Sequence, residues 1–187
     1  MVDAHEETAS RLRAERRAWL ADVFAGGDHD RPFPIGHPGL PTTYLPAADG
    51  EPHGGVQRSS RHPNNSFFTN WTIVEGFVSW DVEVLRAGKY RVEAYYTRPV
   101  DAEAPTLELR FANQSLRAMV VDGYDPPEIS TQHNRVPAEE SPVKRFRAVE
   151  LGEIELPLGR GELALRAVEA PSGAVIDLSQ LALTYLP

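Results

Sequence analysis

Hydrophobic and polar positions alternate most regularly between Phe77 and Thr97. Trp80, Val82 and Val84 point one way and Ser79, Asp81 and Glu83 the other; Tyr90, Val92, Ala94 and Tyr96 then oppose Arg91, Glu93, Tyr95 and Thr97. Alternation with a period of two predicts a pair of pleated strands, each with one apolar and one wet face. Residues 86–89, with Gly88 near the turn, suit a tight antiparallel connection. Strands that are apolar on one side cannot hide that side alone, so a second sheet must cover them. Further strands are expected at 106–111, 116–121, 143–151, 154–156, 161–168 and 178–185, where apolar residues again recur at every second position. Many short strands separated by turn residues predict a mainly β protein, an antiparallel sandwich of the jelly-roll kind.

One segment follows a different period. Leu12, Trp19, Leu20, Val23 and Phe24 fall on one stripe of a helix over roughly residues 3–25, and Gly26 and Gly27 end it. Arg11, Arg13, Arg16 and Arg17 fill much of the remaining surface, with Glu6, Glu7 and Glu15 available for local ion pairs. Residues 28–63 are rich in proline, glycine and histidine and show little periodicity. They read as an ordered crossing segment with short strands at 42–46 and 56–60. The expected organisation is therefore a helix at 1–27, a connecting segment at 28–63 and a β-sandwich domain at 64–187. Residues 122–142 form a polar loop with four prolines, a length that marks functional or irregular segments.

Composition narrows the chemistry. The 187 residues contain no cysteine, which removes disulfides, thiolate metal sites and thiol nucleophiles. The net charge of −8, with scattered basic residues, argues against nucleic acid as a partner. No apolar run approaches the ~20 residues of a membrane-spanning helix, so no membrane partner is expected. Residues 1–7 lack the basic and apolar blocks of a signal peptide, and the compartment stays open. His5-Glu6-Glu7-Thr8-Ala9 begins like a helical zinc motif but carries Ala9 where the second imidazole belongs. Asp28-His29-Asp30 reads as a solvated turn after the helix. There is no Gly-x-Ser-x-Gly elbow and no phosphate-cradling loop; Gly159 and Gly161 flank Arg160 in a turn between strands. Three Asn-x-Ser/Thr sequons, at Asn64, Asn70 and Asn113, read as coincidental. No catalytic residue, metal site or cofactor is expected.

Aromatic and polar residues in the loops are the remaining signal. Sugar rings stack flat C–H faces on aromatic planes, and their hydroxyls seek charged or paired partners. Trp71, Tyr95, Tyr124, Asp125, His133 and Arg135 are the candidate glycan-binding residues, since loops gathered at one end of a sandwich are natural binding sites. Each also has a purely structural reading: Trp71 as a core plug, Tyr95 as a contact to a neighbouring element.

The chain also resembles a known family. P-F-P-I-G-H-P-G-L-P-T-T-Y-L-P-A (32–47), R-S-S-R-H-P-N-N (58–65), T-N-W (69–71), F-V-S-W-D-V-E-V (77–84), D-G-Y-D-P-P (122–127), V-K-R-F-R (143–147) and L-A-L-T (181–184) resemble the C-terminal region of bacterial arylsulfatases of the alkaline-phosphatase-like superfamily. R-R-A-W-L-A-D-V (16–23) resembles the last helix of the catalytic portion of such an enzyme. The sulfatase Cys/Ser-x-Pro-x-Arg motif is absent, so the resemblance implies a non-catalytic accessory domain, with an upstream sulfatase catalytic domain as partner in a longer chain and a sulfated glycan as ligand. The pair W-D-V-E-V and A-G-K-Y-R-V-E-A-Y-Y is also similar to carbohydrate-binding modules of the galactose-binding jelly-roll type. In those modules a calcium often bridges an early Glu and an Asp of the last strand. Here Ser179 stands at the equivalent place, Asp177 lies two residues away, and no early Glu-x-Glu run occurs. The two alternatives are a stand-alone carbohydrate-binding module and a purely structural sandwich between domains.

Overall fold

A computed structural model describes residues 5–25, 31–62, 66–129, 141–171, 173 and 175–187. The chain divides into two units, Met1–Arg31 and Pro32–Pro187. The second unit carries the alternating pattern, and its strands are β1 (Phe33–Ile35), β2 (Thr42–Pro46), β3 (Glu51–His53), β4 (Gln57–Arg58), β5 (Phe68–Thr69), β6 (Phe77–Val84), β7 (Gly88–Thr97), β8 (Thr106–Phe111), β9 (Gln114–Met119), β10 (Arg147–Leu156), β11 (Gly159–Glu169) and β12 (Asp177–Leu186). They form two sheets. Sheet one runs β1-β6-β11-β8-β9 with β3 also on β6; sheet two runs β10-β7-β12-β5-β4 with β2 also on β12. Among the described strand pairs all are antiparallel except β1 with β6, which is parallel. The expected mainly β sandwich is the observed fold.

Apolar alternation decides how the sheets meet. Sheet one turns in Val78, Trp80, Val82 and Val84 of β6, Leu163 and Leu165 of β11, and Leu107, Leu109 and Phe111 of β8. Sheet two answers with Tyr90, Val92, Ala94 and Tyr96 of β7, Ile154 and Leu156 of β10, and Leu181 and Leu183 of β12. Burying each large side chain contributes about 1.5–3 kcal/mol, enough collectively to offset the ordering of the chain. Trp80 is 2% exposed, and its Nε1 donates to the Pro46 carbonyl at 2.9 Å, so its only polar atom is satisfied. Gly50 lies against this ring: a Cβ there would come within 2.6 Å of Nε1.

Two bulges explain where the alternation changes phase. In β10 the register shifts between Glu150 and Gly152, leaving Leu151 as the extra residue. Inward positions therefore pass from odd numbers (Val149, Leu151) to even ones (Ile154, Leu156). This joins the strands expected at 143–151 and 154–156 into one, and Gly152 takes the φ of +124° that the irregularity requires. In β12 the shift falls between Leu178 and Gln180, and Ser179 is the extra residue. The last strand thus runs from Leu178 inward to Leu181 and Leu183 inward, with Asp177 at its mouth.

The proline-rich segment contributes β1 to β4, which lie at sheet edges where a missing N–H is tolerated. β2 occupies the expected 42–46. In the first unit, helix α1 (Glu6–Val23) buries none of its residues; Leu12, Trp19, Val23 and Phe24 are exposed, and Arg11 Nη1 pairs with Glu15 one turn on at 2.6 Å.

Candidate functional site

Four chain segments converge at one end of the sandwich: the exit of β5, the exit of β7, the approach to β10 and the approach to β12. They enclose a cleft of about 190 Å³ whose polar lining comprises Asn70, Thr72, Thr97, Asp125, Lys144 and Asp177, with Trp71, Pro99, Val175 and Ile176 supplying apolar wall. The local backbone is well held. Asn70 adopts φ +56°, a left-handed conformation that asparagine tolerates, and its Nδ2 donates to the Gly55 carbonyl at 3.1 Å. Val175 N donates to the Trp71 carbonyl at 2.9 Å, tying the β5 exit to the β12 approach.

Lys144 is the centre of this cleft. Its Nζ lies 2.7 Å from Asp177 Oδ2 and 3.7 Å from Asp125 Oδ1, and the side chain is only 11% exposed. The ammonium also stands 5.7 Å from the centroid of the Phe67 ring. Thr97 Oγ1 donates to Asp177 at 3.5 Å. One cation between two carboxylates leaves the cleft locally acidic, with donors and acceptors side by side. Such a lining suits sugar hydroxyls, which both donate and accept.

The loop that delivers Asp125 is pinned by its neighbours. Arg98 and Tyr124 exchange backbone hydrogen bonds of 2.8 and 2.9 Å. The Arg98 guanidinium, itself buried, donates to the carbonyls of Ala102 at 2.5 Å and Val121 at 2.8 Å. Arg147 stacks 4.9 Å over the Tyr124 ring and donates to Tyr96 Oη at 2.9 Å, while Tyr96 Oη donates to the Asp122 carbonyl at 2.7 Å.

The structure brings Trp71 and Asp125 of the sequence candidates to this cleft and sets Tyr124 beside it. Trp71 is 2% exposed with Nε1 donating to the Gly76 carbonyl at 3.0 Å, so it offers wall and no open face for stacking. Tyr95 lies on the outer face of sheet two, opposite Ala148 and Gln180, where burial and then Tyr44 and Glu93 push its phenol upward. His133 and Arg135 lie outside the described residues. Sequence reading missed Lys144, Thr97 and Asn70. Lys144 had only one signal, a cation inside the short run before β10, and a lone lysine in a loop is ordinarily solvated.

The calcium arrangement of galactose-binding jelly rolls does not fit here. The Asp177 carboxylate is engaged by an ammonium group, and among the described residues no three acidic or histidine side chains stand together.

No family model matches the sequence, and no curated protein matches it either. Solved structures do. The chain aligns with a carbohydrate-binding module, CBM35 of Cellvibrio japonicus Abf62, at TM-score 0.52 and 10% identity, over 78% of this chain and 94% of that one. The fold is a jelly-roll β-sandwich. Podospora anserina GH26-CBM35 β-(1,4)-mannanase matches at TM-score 0.53 and 11% identity over 78% of this chain, which spans only 28% of the mannanase chain. The mosquito-larvicidal Cry4Aa toxin of Bacillus thuringiensis matches at 0.54 and 11% over 78%, and this chain spans 24% of it. At such identities the likeness is one of fold.

Proposed function

We propose that the sandwich is a non-catalytic glycan-binding module whose apical cleft takes a sugar through Lys144, Asp125 and Asp177. The observation that carries this reading is one partly buried ammonium held between two carboxylates in a walled cleft, beside the hydroxyl of Thr97. Binding modules sharing this fold support it. Within this reading Asp125 and Asp177 accept from sugar hydroxyls and Lys144 donates to them, while Trp71 shapes the wall. Tyr124 orients the loop rather than stacking on the ring.

A neutral polysaccharide panel tests it through thermal denaturation, because a ligand of the native state adds RT ln(1 + [L]/Kd) to stability. A glycan that raises the melting temperature of the wild type and fails to do so for Lys144→Ala is the expected outcome. No shift with any glycan would leave Lys144–Asp177 as a strut of a purely structural sandwich. The narrower reading, an accessory domain beside an arylsulfatase catalytic unit acting on sulfated glycans, rests on the sequence resemblance alone. A Cys/Ser-x-Pro-x-Arg motif in the same reading frame is its test.

A further inference from the structure

The outer face of sheet one, whose charged residues are not among those lining the apical cleft, carries a second constellation. Glu108 of β8 projects outward yet is only 1% exposed, because arginines from three strands cover it. Arg117 of β9 reaches it through Nε at 2.8 Å, Arg110 of β8 through Nε at 2.5 Å, and Arg166 of β11 through Nε at 2.8 Å and Nη2 at 2.7 Å. Three guanidinium groups on one carboxylate leave two positive charges in excess. Each guanidinium has five N–H donors, and Arg110 and Arg117 spend only Nε on Glu108, so their forked Nη groups lie outside that contact. The side chains of Arg110 and Arg117 are 48% and 64% exposed.

This cluster adjoins a shallow groove of about 310 Å³ lined by Arg110 and Arg166, with Phe77, Ala112, Ala164 and Glu162. Phe77 is stacked on His53 at 4.1 Å between centroids and 12° between planes, a flat apolar surface at the groove wall. Arg117 and Arg166 stand on strands that flank β8, yet their guanidinium groups converge on the one Glu108 carboxylate, so the positive charge is concentrated at a single point of the face. One acidic group of a linear polymer can meet it there.

We propose that this face binds a polyuronate chain, with a sugar carboxylate on the forks of Arg110 and Arg117, beside Arg166, and a sugar face against Phe77. The face already holds one carboxylate in this manner, that of Glu108, and the planar fork matches a planar carboxylate bidentately. Glu162 in the groove wall disfavours a densely charged polymer. The net charge of −8 does not forbid the contact, since charges beyond about 8 Å are screened at physiological salt while the local excess is met directly. The site is separate from the apical cleft and stands or falls without it.

Affinity electrophoresis in gels containing polygalacturonate is the test, with titration calorimetry on oligogalacturonate. The wild type is retarded, less so as salt rises, and the double variant Arg110→Gln/Arg117→Gln stays folded with a lowered melting temperature and loses about tenfold in affinity. If that double variant does not fold, Glu162→Gln keeps the proposal testable: it removes a negative charge from the groove and tightens binding about threefold. No retardation of the wild type overturns the proposal. So does equal or stronger retention by dextran sulfate or poly(dT), which would make the face a general polyanion surface. Loss of retention in Lys144→Ala would instead place the polyuronate in the apical cleft and equally overturn it.

Discussion

The apical cleft and the outer face of sheet one use the same chemistry in opposite proportion. At the cleft one ammonium serves two carboxylates, Asp177 and Asp125; on the face three guanidinium groups serve one, Glu108. In each place the single ion is the more buried group: Lys144 is 11% exposed and Glu108 1%. Their surroundings carry the excess, acidic at the cleft and basic on the face. The minority ion therefore organises a site, and the majority ions set the charge of what approaches it. The supports differ as well. Glu108 sits on a regular ladder, opposite Arg117 and Arg166 in register, whereas Lys144 and Asp125 come from loops.

The largest effect expected is at the hub of the face. Glu108→Ala leaves three guanidinium groups gathered with no counter-charge. Breaking a buried pair from one side typically costs 3–5 kcal/mol, and the exposure of the arginines reduces this to about 2 kcal/mol. Removing Arg117 alone, at the rim, should cost under about 1 kcal/mol. Urea denaturation of both variants checks the ordering, and equal losses would erase the distinction between hub and rim.

Acid sharpens the same contrast. Burial pushes the Glu108 carboxyl up, but hydrogen bonds from Arg117, Arg110 and Arg166 outweigh it and hold it at about 2 instead of 4.5. A depressed carboxyl contributes its stability fully above its unfolded value and loses it as pH falls through its folded value. The contribution, about 2 kcal/mol after allowance for screening, is thus complete above pH 4.5 and disappears toward pH 2. Urea midpoints measured from pH 5 to 2 should converge between wild type and Glu108→Gln at the acid end. Parallel curves would show that the arginines do not hold the proton off.

At the cleft, Lys144→Ala strands Asp177 beside Asp125 and should cost about 1 kcal/mol, less than the hub because both carboxylates keep access to water. Its larger consequence is for glycan binding, where a tenfold loss corresponds to about 1.4 kcal/mol. A melting temperature lowered by as much as in Glu108→Ala, with glycan binding intact, would reverse the two roles.

How much of this was legible beforehand follows from the range of the forces. The sandwich was readable because Trp80, Val82, Val84 and Tyr90, Val92, Ala94, Tyr96 announce their faces locally, through alternation. Strands β1, β3 and β5 were not announced, being two or three residues long and held by partners distant in sequence, whereas β4 falls within the strand expected at 56–60. The bulge at Leu151 hid the continuity of β10 by changing the phase of the pattern, whereas β12 was expected as one strand despite its bulge at Ser179. Both charge constellations escaped for the same reason: Glu108 meets Arg166 across 58 positions and Lys144 meets Asp177 across 33. Trp71 shows the reverse error, since an aromatic residue near a loop signals a platform or a plug equally well, and only its 2% exposure separates them.

The smallest effect isolates burial from pairing. On the same outer face, Arg160 meets Asp81 bidentately, with Nη2 2.6 Å and Nε 3.2 Å from Oδ2, yet the two side chains are 50% and 49% exposed. Its geometry rivals that of the Glu108 contacts, but Asp81 has one exposed guanidinium partner where Glu108 is sheltered under three. Water already solvates both ions in the unfolded chain and competes for them in the folded one, so the pair contributes about 0.5 kcal/mol. Asp81→Asn should therefore shift the urea midpoint slightly, and the shift should shrink further in 1 M salt, where screening acts over about 3 Å. Glu108→Ala, sheltered under its arginines, should keep most of its cost in the same salt. A salt response equal in the two variants would mean that shelter by the guanidinium groups excludes neither water nor ions, and the contrast between hub and surface pair would fail.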